Sequence, residues 1–128
     1  MIAKISSSEN LAGALGYNFK KVVSGDASVL LAEGLYANPE GGYTMEEVLS
    51  DMQAAIPKKC RTKNVVFHCS LNPHPDEKLS DEQLTQIAQE YMQALGYGGQ
   101  PYIVFKHNDI EREHIHIVSL RVNSAGEK

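Results

Sequence analysis

The sequence predicts an α+β domain, a largely antiparallel sheet with helices packed on it and a histidine pair on a central strand. Segments of strand and helix periodicity alternate along 128 residues in the order β-α-β-α-β-α-β-β. Two of the helices are announced by capping boxes, and the last two strands are separated only by a short polar run, as in an antiparallel hairpin. With 42 % hydrophobic residues the chain can bury one core without disulfides or a structural metal, so residues 1–128 read as a single domain.

Met1 to Ser6 alternates weakly and is expected as a short strand. Ser6, Ser7 and Ser8 offer hydroxyls as N-caps for a helix from Glu9 to Lys21. On that helix Leu11, Leu15 and Val22 form an apolar stripe, while Asn10, Gly13, Ala14 and Tyr17 lie on another side. Ser24-Gly25-Asp26 is turn chemistry, Val29-Leu30-Leu31 marks a strand within Ala27 to Tyr36, and Asn38 to Gly42 breaks it. Thr44 and Glu47 have capping-box spacing, and Val48, Leu49, Met52 and Ile56 continue at helical period to Pro57. From Asn64 to Asn72, Val65, Phe67, Cys69 and Leu71 fall on one face of a strand and Val66, His68, Ser70 and Asn72 on the other. Ser80 and Gln83 repeat the capping pattern. Leu84, Ile87, Ala88, Tyr91, Met92 and Leu95 follow as a stripe ending at Gly96, a residue suited to a helix C-terminus. Pro101 to His107 and Glu113 to Asn123, rich in β-branched and aromatic residues, form the hairpin. The order of strands in the sheet is not readable from this pattern.

Composition excludes several classes. No apolar run approaches the ~20 residues of a membrane span, and the N-terminus lacks the apolar stretch of a signal peptide, so a cytoplasmic protein without membrane insertion is expected. Cys60 and Cys69 have no metal-motif spacing, and Cys69 reads as a buried free thiol. The net charge of -4 argues against holding nucleic acid by bulk electrostatics. Charge is uneven, however: Lys58, Lys59, Arg61 and Lys63 form a basic cluster, which is either a solvated loop or a phosphate-binding patch.

The strongest chemical signal is histidine. Three of the five histidines fall within ten residues, His107, His114 and His116. Side chains alternate along a strand, so His114 and His116 project from one face, and Ile115 points into the opposite layer. His107, at the end of the partner strand, comes beside them. Three imidazoles around one cation leave positions open for water and substrate, as a catalytic site requires. A lone His-x-His is compatible with an exposed polar face; the third histidine and the nearby Asp109 favour a metal site. Asp109 is assigned to holding the free N–H of a metal-bound ring, with direct ligation as the alternative. Glu111 and Glu113 read as solvated charges, His68 as a satisfied sheet histidine, with a place at the edge of the same cleft as the alternative, and His74 as a loop residue.

The run His107-x-Asp109-(x)4-His114-Ile115-His116-Ile117-Val118 resembles the relaxase/mobilisation nuclease family, within the broader class of His-hydrophobic-His endonucleases (the HUH motif) that act through a tyrosine. Val65 to Leu71, Pro73 to Leu79 and Ser80 to Leu95 look like the strand, proline-containing loop and long helix that precede the motif in that family. Asn10 to Lys21 looks like its tyrosine-bearing helix. The resemblance makes Tyr17 the nucleophile and extends almost from end to end, although family members usually continue beyond the last strand. The chain is therefore expected to be the N-terminal catalytic part of a longer protein.

What the resemblance implies is a DNA relaxase, an enzyme of plasmid mobilisation and conjugation. It would nick one strand at a plasmid or mobile-element transfer origin through a 5′-phosphotyrosyl intermediate. Mg²⁺ or Mn²⁺ is the family expectation, while three imidazoles by themselves favour softer ions such as Mn²⁺, Zn²⁺ or Ni²⁺. Single-stranded or hairpin DNA and accessory mobilisation proteins are the implied partners, with Lys58, Lys59, Arg61 and Lys63 as candidate DNA contacts. The competing classes are a replication initiator or transposase of the same endonuclease class, a non-catalytic metal-binding module, and a hydrolase using an activated water.

Overall fold

The computed structural model describes residues 2–8, 10–33, 44–56, 65–73, 79–96, 100–107 and 114–121. The elements follow the expected order: β1 (Ile2–Ser8), α1 (Leu11–Ser24), β2 (Ala27–Glu33), α2 (Met45–Ala54), β3 (Val66–Asn72), α3 (Asp81–Ala94), β4 (Tyr102–His107) and β5 (His114–Leu120). The strands form one sheet in the order β1-β3-β5-β4-β2, and each neighbouring pair is antiparallel. The histidine-bearing β5 is thus the central strand, as the sequence predicts.

Both faces of the sheet are covered, because its interior strands carry apolar residues at odd and even positions alike. On one face Leu11, Leu15 and Phe19 of α1 and Val48 and Met52 of α2 pack on Val66, Ile103, Phe105, Val118 and Leu120. On the other, Leu84, Ala88 and Met92 of α3 pack on Phe67, Cys69, Leu71, Tyr102, Val104, Ile115 and Ile117. Each fully buried large side chain stabilises the fold by roughly 1.5–3 kcal/mol. The α1 stripe differs in one member from the sequence expectation: Phe19 is buried, meeting Phe105 edge-on with ring centroids 5.1 Å apart, whereas Val22 is only partly covered.

The start of α1 also differs. The chain stays extended through Ser8, since Ser6, Ser7 and Ser8 are committed to the β1–β3 ladder opposite His68, Phe67 and Val66. The cap falls instead to Asn10, whose side chain accepts a 2.9 Å bond from the Gly13 N–H. A Cβ at position 13 would collide with the capping side chain of Asn10, so glycine there leaves the cap in place. At the other end Gly25 takes a left-handed φ of 86° while Asp26 N–H bonds to Lys21 O and Gly25 N–H to Val22 O, a Schellman closure. The apolar run of β2 fails to alternate because the register shifts between Val29 and Leu31, a bulge that adds Leu30.

The two capping boxes expected for α2 and α3 are present as amide bonds to Thr44 and Ser80. In α3 the box is complete, with Gln83 bonding back to the Ser80 N–H at 2.8 Å. Lys106 of β4 reaches Asp81 at 2.5 Å, tying the start of α3 to the sheet.

Candidate active site

The site forms where α1 crosses the ends of β4 and β5. His107 and His114 are register partners across the hairpin, and His116 lies opposite Phe105 on β4 and Ser70 on β3. All three rings share the α1 face, for Ile103, Phe105 and Val118 on the same register positions pack against that helix. Ring centroids are 4.1 Å apart for His107–His116, 4.9 Å for His114–His116 and 5.2 Å for His107–His114. Each ring offers one potential ligand nitrogen, and these lie within 4.8 Å of one another. Three nitrogens at the usual metal–nitrogen length of about 2.1 Å stand about 3.4 Å apart in a tetrahedral arrangement. Small side-chain rotations therefore suffice, and the three imidazoles fit a divalent ion. Ile115 is fully buried in the opposite layer, beneath α3.

Tyr17 is brought to this cluster from α1. Its ring is 53 % exposed and lies 6.2 Å from the His107 ring, nearly parallel at 22°, and 6.4 Å from His116 at a steeper 60°. The Lys21 ammonium, one turn on, is 5.7 Å from the Tyr17 ring centroid, within cation–π range. A tyrosine projecting from the exposed side of a helix over a histidine cluster is open to a polymer lying across the sheet.

Two further residues belong to the same assembly. His68, on the adjacent strand β3, stacks on His116 with centroids 5.1 Å apart and has its Nε2 3.0 Å from His116 Nδ1, one nitrogen donating and the other accepting. Burial holds His68 below the usual histidine range, which favours its neutral ring. The sequence places His68 on the correct face of its strand, but with strand order unreadable its neighbour could not be named. Asn18 was not singled out by the sequence at all. It is 0 % exposed, with its side-chain oxygen 2.7 Å from His107 Nε2. The available signal was its spacing, i+3 from Leu15 and i+7 from Leu11, which puts an amide in the apolar stripe.

Asp109, Lys58, Lys59, Arg61 and Lys63 lie outside the described residues, as do Glu111, Glu113, His74, Tyr36 and Tyr43. Tyr97 also lies outside the described residues, while Tyr91 and Tyr102 are on the far side of the sheet with the α3 cluster.

A cluster of three histidines, should it hold an ion, would leave room for a substrate oxygen, unlike a closed four-ligand structural site. A family model described as relaxase, MobA/VirD2-like, nuclease domain, matches residues 17–128. The chain belongs to this family of DNA-nicking relaxases, and the resemblance read from its histidine motif is to the same family. The comparisons with curated proteins and with solved structures return no match. Among the described residues no helix is long and apolar enough to cross a membrane.

Proposed function

We propose that the protein nicks one DNA strand at a specific site of a mobile-element transfer origin and holds the 5′ end as a phosphotyrosyl link to Tyr17. The observation that carries the reading is the stacking of Tyr17 over the three-histidine cluster, 6.2 Å and 6.4 Å from two of its rings. A scissile phosphate lying on the cluster is then within reach of the phenol oxygen, so attack becomes effectively intramolecular.

In this mechanism Tyr17 Oη attacks phosphorus and loses its proton to a base or water beside the site. The bond to the 3′ oxygen breaks, and that oxygen takes up a proton to leave as a 3′-OH. His107, His114 and His116 would hold a divalent ion, which when bound would supply Lewis-acid polarisation of the phosphate and offset charge on its oxygens. Lys21 adds positive charge next to the ring of Tyr17. Ile103, Phe105 and Val118 beneath α1 keep the helix, and with it Tyr17, fixed over the sheet. The exchange conserves bond energy, so the 3′-OH can attack the phosphotyrosine and rejoin the strand.

Within the same proposal Asp109 orients a metal-bound imidazole. Lys58, Lys59, Arg61 and Lys63 contact the DNA backbone and supply positive charge that the overall balance of -4 lacks. Mn²⁺ suits an all-imidazole ligand set better than Mg²⁺. Accessory mobilisation proteins complete the assembly at the origin.

The test is to incubate the protein with Mn²⁺ and single-stranded oligonucleotides tiled across the DNA that flanks its gene. A denaturation-resistant adduct is expected, mapped by mass spectrometry to the Tyr17 peptide and absent in Tyr17→Phe. Cleavage that survives in Tyr17→Phe without any adduct would instead identify a hydrolase using an activated water.

A further inference from the structure

We propose that Asn18 is the positioning residue for His107, fixing its tautomer so that Nδ1 is the nitrogen offered to the metal. The inference rests on the reading of His107, His114 and His116 as ligands of one ion, and adds to it the element that sets their chemistry.

Asn18 is fully buried, and its Nδ2 donates to the backbone carbonyl of Ala14 at 2.8 Å. A carbonyl oxygen can only accept, so that end of the amide must be the NH₂ group. The other end is then the carbonyl oxygen, and it stands 2.7 Å from His107 Nε2. Since the amide oxygen also only accepts, Nε2 must carry a hydrogen. A neutral imidazole has one N–H, so its lone pair is on Nδ1, which is buried like Nε2. Metal ligation requires that lone pair.

Packing alone gives no reason for an amide here. Position 18 lies between Leu15 and Phe19 on the stripe that α1 buries against the sheet. Burying an amide without hydrogen bonds is costly, and an apolar residue would avoid the cost. The pair of bonds to Ala14 and His107 offsets it and ties the ring to the backbone of α1. Because Asn18 follows Tyr17 directly, the same turn of helix holds the proposed nucleophile and the tautomer of one ligand. A displacement of α1 along its axis would disturb both together.

The first test needs no variant. Long-range ¹H–¹⁵N correlation of the metal-free protein, at a pH where the imidazoles are neutral, distinguishes the protonated ring nitrogen, with the His107 signals assigned by their loss in His107→Gln. A protonated Nε2 and a bare Nδ1 are expected; a protonated Nδ1 overturns the proposal. Calorimetric titration with Mn²⁺ then compares the wild type with Asn18→Leu, which removes the acceptor, and Asn18→Asp, which keeps it. Loss of such supporting bonds typically weakens metal affinity about 10–100-fold. That loss is expected for Asn18→Leu, with recovery to near wild type in Asn18→Asp, whereas wild-type affinity in Asn18→Leu counts against the proposal. If Asn18→Leu does not fold, the tautomer of the wild type decides. A wild type that binds no metal defeats the metal reading, while the tautomer measurement still tests the role of Asn18.

Discussion

Tyr17 is half exposed and meets its neighbours through ring contacts with His107, His116 and Lys21. Removal of its hydroxyl in Tyr17→Phe therefore leaves those contacts in place. The change in unfolding free energy is expected within ~0.5 kcal/mol of wild type by denaturant titration, while adduct formation is abolished. A large loss of stability would mean that the hydroxyl serves the fold. A second residue-scale prediction concerns Cys69, which is fully buried. Burial raises its thiol above the ordinary value near 9.0, and the partner hydroxyl of Tyr91 is pushed up to about 12. The folded state thus keeps protons that the unfolded chain releases, so their stabilising contribution is full below pH 9 and is lost as pH rises past it. Alkaline unfolding curves should show the stability gap between wild type and Cys69→Ala shrinking above pH 9; a constant gap would contradict the assignment. The histidines were legible in the sequence because alternation along β5 fixes the face of His114 and His116 without any knowledge of the rest of the sheet. Asn18 was not, because a single amide in a stripe gives its partner no address.

At the level of elements, what the sequence revealed depended on whether the signal was local. The starts of α2 and α3 were readable since a capping box lies within four residues and needs no tertiary partner. The start of α1 was not, because the ladder with β3 claims Ser6, Ser7 and Ser8 as strand and passes the cap to Asn10. Similarly the bulge in β2 belongs to its pairing with β4 and leaves no mark in the apolar run itself. The complete box on α3 gives a direct prediction. Ser80→Ala removes the acceptor for the Gln83 N–H, bonded at 3.1 Å, and should cost about 1 kcal/mol in chemical denaturation. An unchanged midpoint would show that this helix end is held by other contacts, such as the Lys106–Asp81 pair.

For the whole molecule, strand order decides the site. The sequence supplies His107, His114 and His116 from one hairpin, but only the order β1-β3-β5-β4-β2 sets β3 beside β5 and so His68 beside His116. Likewise, only the placement of α1 on that face of the sheet brings Tyr17 over the rings. Pairing across the sheet joins residues far apart in sequence, so periodicity alone names neither contact, and Tyr17 is reached only through the resemblance to the relaxase family. The three-layer packing leaves Ile115 and Ile117 to α3, while on the α1 face of the central strand Val118 and Leu120 join the core and His114 and His116 join the candidate site. Metal binding by these histidines underlies the proposed function. Its most direct test is thermal unfolding with Mn²⁺, Mg²⁺, Zn²⁺, Ni²⁺ or a chelator, comparing wild type with His114→Ala/His116→Ala. An ion bound only by the folded state at a hundred times its dissociation constant adds about 2.7 kcal/mol. A metal-dependent rise in melting temperature in the wild type, absent from the double variant, is the result expected; the same response to metal and chelator in both proteins would contradict it.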